Sequence, residues 1–115
     1  MTGFAKRIRD DSGDIKYYGI EPQMTSRALM FELRTKDGKR KAYSYSYLVE
    51  ADYDPEKGII INVSDVVITI TGRCLDEIFN YLLVNRLTYV QEDYSGIDNE
   101  ESEVFVQGIE IVYQK

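Results

Sequence analysis

The chain has 115 residues, with 14 basic and 20 acidic side chains, a net charge of −6, one cysteine and no histidine. That length points to one domain with a core able to stand without metals or disulfides. A single cysteine excludes an internal disulfide or a CxxC zinc site, and the missing histidine removes the commonest general base and metal ligand. No stretch approaches the roughly 18 apolar residues of a membrane helix. The early basic residues Lys6, Arg7 and Arg9 are followed by no apolar run, so no secretory signal is expected and the cytoplasm is the default.

Charge is unevenly placed. Residues 1–41 hold ten basic and six acidic groups, and residues 42–115 hold four basic and fourteen acidic groups. This is either ordinary scatter on a solvated surface or a polar molecule whose basic end meets an anionic partner.

Residues 1–25 mix charge, glycine and isolated apolar residues without a clear period. They read as a mobile arm or irregular lead-in before a domain over 26–115, with a short strand possible over Ile15–Ile20. From Arg27 to Lys36 the pattern alternates, with Leu29, Phe31 and Leu33 on one face and Met30, Glu32 and Arg34 on the other. Asp37-Gly38 is a strong two-residue hairpin signal, and Lys39 to Val49 reads as one return strand. A two-residue loop sets Leu33 opposite Ala42, Phe31 opposite Ser44 and Leu29 opposite Ser46. On the reverse face it sets Glu32 opposite Tyr43 and Met30 opposite Tyr45. A one-residue slip would exchange the faces.

Asp54-Pro55-Glu56-Lys57-Gly58 is a turn by composition. Strands follow over Ile59–Val63 and Val66–Thr71, joined at Ser64-Asp65. A two-residue loop there pairs Val63 with Val66, Ile61 with Ile68 and Ile59 with Ile70, a β-branched face that must be buried. From Leu75 the period becomes 3.6, with Leu75, Ile78, Phe79, Leu82, Leu83 and Leu87 in one stripe of a helix over roughly 75–87. Residues 92–103 hold six acids and no base and predict an exposed, mobile loop. Residues 104–113 return to strand character, with Gly108 marking a bulge or bend. The predicted fold is α+β: an antiparallel sheet of two consecutive hairpins plus a C-terminal strand, with one amphipathic helix on one face.

Chemistry is sparsely represented. Cys74 has no histidine to activate it, although a helix start would favour its thiolate. Asp52 with Asp54, Asp76 with Glu77, and the acids over 98–103 fall in turns, a helix start and a loop, all wet places for acid–base work. The run from Asp93 to Asp98 misses the spacing of a calcium loop. Neither phosphate-loop glycine motif occurs. No catalytic residue, metal or cofactor is expected, and the chain reads as a non-enzyme.

The tyrosines stand out. Tyr43, Tyr45, Tyr47 and the later Tyr53 point to one side of the predicted return strand, with Lys39, Arg40 and Lys41 beside them. In this reading Tyr43, Tyr45, Tyr47, Met30 and Glu32 form a partner-binding face opposite the helix, an arrangement fit for protein interfaces. The expected partner is a second copy of the chain or another protein, and Tyr45→Ser should leave folding intact while disrupting association. The alternative is single-stranded nucleic acid or another anion held by the tyrosines with Lys39, Arg40 and Lys41. A net charge of −6 weighs against a nucleic-acid duplex, and no membrane contact is expected. Tyrosines are also ordinary strand formers that pack across strands with wet hydroxyls.

The succession Tyr43-Ser44-Tyr45-Ser46-Tyr47-Leu48, Tyr53-Asp54-Pro55-Glu56-Lys57-Gly58-Ile59, Ile68-Thr69-Ile70-Thr71-Gly72-Arg73-Cys74-Leu75 and Asn85-Arg86-Leu87 spans roughly residues 27–92. It resembles a group of small, functionally uncharacterised bacterial proteins with the pattern Y/F-x-x-L, Y-x-P-x-x-G-I, I-x-G-R-N-L and a later L. Cys74 stands where that pattern has Asn, a residue suited to capping a helix. The resemblance brings no activity to any residue.

Overall fold

The computed structural model describes residues 16–96 and 103–114. Residues 1–15, most of the expected arm, and residues 97–102 of the expected acidic loop lie outside the described residues. Among the described residues, eight strands form two four-stranded sheets in place of the expected single sheet. The first sheet has the order β1 (Tyr18–Ile20), β7 (Leu87–Gln91), β2 (Met30–Arg34), β3 (Arg40–Ser44). The second has the order β4 (Leu48–Asp54), β5 (Gly58–Val63), β6 (Val66–Arg73), β8 (Phe105–Tyr113). All neighbours are antiparallel except β2 and β7, which run parallel.

The expected return strand over 39–49 is broken after Ser44. Ser46 N–H donates to Ser44 Oγ at 3.1 Å, and Tyr45–Tyr47 form one turn of 3-10 helix. That turn carries the chain from β3 into β4, and hence from one sheet to the other. Small hydroxyl residues between aromatics favour this break, because a serine side chain offers the backbone a local partner instead of a ladder bond.

The first hairpin differs from expectation by one residue. Its loop is Lys36-Asp37-Gly38, closed by Gly38 N–H to Thr35 O at 3.0 Å and Thr35 N–H to Lys39 O at 2.9 Å. A two-residue primed turn needs positive φ at its first central residue, and in type I′ at both. Here only Gly38 takes it, at 90°, which is the three-residue solution. Phe31 therefore faces Tyr43, Glu32 faces Ala42 and Met30 faces Ser44. The slip turns Tyr43 from the outer face to the core side. Phe31 and Leu33 are fully buried as expected, whereas Leu29, just ahead of β2, is 84 % exposed.

The second hairpin has the expected register: Val63 faces Val66, Ile61 faces Ile68 and Ile59 faces Ile70, all buried. Its positive φ falls on Ser64, at 54°. The final strand also lies where expected, and its bulge places Thr71 opposite Gly108 and Gly72 opposite Val106.

The helix, α1, is shorter than expected, Asp76–Leu83. It ends in a left-handed cap at Asn85, φ 59°, with Asn85 N–H bonded to Leu82 O and Arg86 N–H to Tyr81 O. This double bond satisfies the last carbonyls and stops the helix. Leu87, read as the end of the apolar stripe, instead begins β7. Ile78 and Leu82 are buried. The helix meets an edge strand of each sheet: Tyr81 lies 6.1 Å from Tyr18 and Phe79 lies 5.8 Å from Tyr53, ring to ring. It therefore bridges the two sheets at their edges. One apolar cluster, from Phe31, Leu33, Leu87 and Val90 to Ile59, Ile68, Ile70 and Val106, joins both sheets and α1.

Candidate functional site

Strand directions sort the surface into two ends. One gathers Leu29 and Met30, the 3-10 turn and the Ser64-Asp65 turn, tied by Tyr45 N–H to Leu29 O at 3.0 Å and Ser64 N–H to Tyr47 O at 3.0 Å. The opposite end gathers the Lys36–Gly38 loop, the Pro55–Gly58 turn, Arg73, Glu92, Asp93 and the start of β8.

The tyrosines separate across the first end. Tyr45 is buried, its ring 5.2 Å from that of Phe31 and its hydroxyl donating to Leu87 O at 2.7 Å. Burial pushes its ionisation above the ordinary phenol range. Tyr43 is half-buried, its ring 6.1 Å from that of Phe31. Its hydroxyl is buried beside the Tyr113 phenol and meets no partner at hydrogen-bonding geometry among the described residues. Burial and that neighbour push it up. Tyr47 is 64 % exposed, and Tyr53 is half-buried against Phe79. The three strand tyrosines thus share no single outer face, and Tyr45→Ser would remove a core side chain.

The basic hairpin is internally engaged. Glu32 accepts from Arg34 Nε at 2.8 Å and from Arg40 Nε at 2.5 Å. Burial raises the Glu32 carboxyl, but the two guanidinium groups outweigh it and hold the group below its usual range. Arg34 also stacks on the Tyr89 ring, 3.8 Å from its centre. Lys39 lies 3.8 Å from Asp37, and the Lys41 ammonium sits 4.8 Å over the Tyr113 ring. Hydrogen bonding to Lys41 holds the Tyr113 phenol below its ordinary value.

Four large apolar side chains are exposed at this end: Leu29 at 84 %, Val49 at 73 %, Tyr47 at 64 % and Met30 at 49 %. Val49 is the extra residue of a bulge, since Leu48 faces Val63 while Glu50 faces Asn62. Its strand, β4, is an edge of the second sheet. Alternation alone did not mark Leu29 and Val49: the bulge turns Val49 outward, and Leu29 lies in a bend ahead of the strand.

At the opposite end two acids depart from the exposed loop that was expected. Glu92 and Asp93 are each only 8 % exposed. Glu92 accepts from Lys36 N–H at 2.8 Å and from Ile109 N–H at 3.0 Å. Asp93 accepts from the Tyr17 hydroxyl and the Ser95 hydroxyl, both at 2.9 Å, and from Gly96 N–H at 3.1 Å. An acid run reads as solvated in sequence, but neutral donors from Tyr17, Lys36, Ser95, Gly96 and Ile109 hold these two inside. Among the described residues no group of three or more acids or cysteines could hold a metal ion. Asp98 and its acidic neighbours lie outside the described residues. Cys74 is exposed at φ 57°, ahead of a helix whose N-cap residue, Leu75, makes no side-chain cap. Both acids line an open cleft, together with Lys36, Glu56, Lys57, Arg73, Tyr94 and Gln107.

No protein-family model matches the chain, and no curated protein or solved structure matches it either. No helix among the described residues is long and apolar enough to cross a membrane.

Proposed function

We propose that this chain is a non-catalytic protein-interaction domain that pairs with a second copy of itself through the end carrying Leu29, Met30, Tyr47 and Val49. One observation carries the reading: these four large apolar side chains stand in water around the crossing from β3 to β4. Apolar patches of several hundred Å² mark contact surfaces more often than inert ones. Tyr43 and Tyr45 act from beneath, packing the crossing against Phe31 and fixing its shape.

Charge favours a second copy. A chain of net charge −6 repels itself over most of its surface. Around this patch the charges balance, with Arg27 and Lys41 against Glu50 and Asp65. Glu32 lies off this contact, satisfied by Arg34 and Arg40.

Sedimentation velocity tests the reading. The wild-type chain is expected to sediment as a dimer at tens of micromolar, roughly the range of a modest interface. Val49→Asp and Leu29→Asp should each give a monomer whose thermal midpoint matches that of the wild-type chain diluted below its dimer range, because both side chains are solvated in the single chain. A wild-type chain that stays monomeric at the highest soluble concentration defeats the proposal.

A further inference from the structure

The solvent side of the second sheet is left open by the described elements. The β5–β6 hairpin turns Ile59, Ile61, Ile68 and Ile70 into the core, so the alternate side chains point outward. Val67 faces Val112 across β6 and β8, and Ile60 lies diagonal to Val67. Ile60 and Val67 are only half-buried and Val112 is 45 % exposed, so this apolar stripe meets water. Glu50 and Asp52, on β4, border it on one side, and Glu110, on β8, borders it on the other. All three carboxylates are exposed and have no basic side chain within ion-pair distance among the described residues. The four strands hold one cation, Arg73, which lies at the far end of β6 over the Phe105 ring, 5.3 Å from its centre.

We propose that the stretch Phe4-Ala5-Lys6-Arg7-Ile8-Arg9 of the same chain docks on this face, a contact within one copy that does not depend on self-association. Phe4 and Ile8 supply apolar area to Ile60, Val67 and Val112, and Lys6, Arg7 and Arg9 supply three cations to the three carboxylates. The contact also relieves the mutual repulsion of those acids on a chain of net charge −6. The other cationic run, Lys39 to Lys41, is already engaged by Asp37, Glu32 and the Tyr113 ring. The tether fits. Lys16, the first described residue, lines one hollow with Val104, just ahead of β8, and the Tyr17 ring packs edge-on against Phe105, centres 5.6 Å apart. From there Glu110 lies five residues along β8, about 17 Å of strand. The six residues between Arg9 and Lys16 can span about 20 Å.

The test places a nitroxide on Thr2→Cys, in a full chain whose exposed Cys74 is replaced by Ser, and reads paramagnetic broadening of the nitrogen-15 amide signals at low salt. The amides of Ile60, Val67, Thr69 and Glu110 are expected to lose intensity and to regain it when the nitroxide is reduced. A Lys6→Glu, Arg7→Glu, Arg9→Glu variant should abolish that loss. So should Asp52→Lys with Glu110→Lys, where well-dispersed Ile59 and Ile68 signals show that the sheet is intact. Raising the salt concentration should weaken the broadening, because the paired charges lie at the surface. Absence of broadening on this face overturns the proposal. So does broadening centred on Leu29 and Val49, or broadening indifferent to both charge reversals. Broadening passed from labelled to unlabelled chains in a mixed sample overturns it as well, since it would set the segment on a neighbouring copy.

Discussion

The phenol of Tyr45 donates to the carbonyl oxygen of Leu87, 2.7 Å away and 42 residues along the chain. That bond joins the crossing between the sheets to the first residue of β7, whose neighbours Asn85 and Arg86 close the helix. Leu87 is fully buried, so its carbonyl has no water to fall back on. Tyr45→Phe keeps the ring and removes the donor, and should cost about 1–3 kcal/mol, the penalty of an unpaired buried carbonyl. Tyr45→Ser also deletes the ring packed on Phe31 and should cost about 3–5 kcal/mol. Urea denaturation of the two variants measures both. A Tyr45→Ser chain as stable as wild type would place the ring outside the core.

Glu92 acts as a clip between sheets. One carboxylate oxygen takes the Lys36 N–H beside β2, and the other takes the Ile109 N–H on β8. Glu92→Ala strands both donors in a site 8 % exposed, and should cost about 2–4 kcal/mol. Glu92→Gln keeps one acceptor oxygen and should fall between Ala and wild type. Hydrogen exchange gives a local readout, because the amides of Lys36 and Ile109 should lose protection first in either variant. Equal loss across all strands would instead show that the clip has no local role.

Much of this architecture was legible in the residues, and the failures share a cause. The Ile59–Ile70 hairpin was readable because its β-branched face admits one register only: a slip would put Ile59, Ile61 and Val63 in water. The Phe31 hairpin was not, because Tyr, Ser and Ala tolerate either face, so turn geometry decided the register. There Asp37 kept negative φ and the loop took three residues. The change of sheet at Tyr45–Tyr47 had only a weak local signal, the serines at 44 and 46. Leu87 fits a helix stripe by spacing, and only the left-handed cap at Asn85 ends that stripe first. The residues of the apolar end were partly named, in Tyr47 and Met30. Leu29 and Val49 depend on a strand start and a bulge that no period encodes. Glu92 and Asp93 were read by charge, whereas their donors Tyr17, Lys36 and Ile109 arrive from segments far off in sequence.

The buried phenols set the alkaline limit of the fold. Burial raises Tyr45 and Tyr89, and burial with a charged or phenolic neighbour raises Tyr18 and Tyr43. In the unfolded chain these groups ionise near pH 10, while in the fold they stay neutral to higher pH. A raised native value stabilises the fold fully below the unfolded value, and that contribution is lost as pH climbs above it. Stability should therefore be flat up to about pH 9 and fall steeply beyond about pH 10. Tyr113, held down by Lys41, runs the other way and should ionise first as the near-ultraviolet tyrosinate band is followed. Replacing Tyr45 by Phe removes one of the raised groups, so the variant, weaker at neutral pH, should lose less further stability between about pH 9 and 11 than wild type. Denaturant midpoints of both chains across that range decide it. Parallel losses would mean that the Tyr45 phenol ionises in the fold as readily as in the unfolded chain.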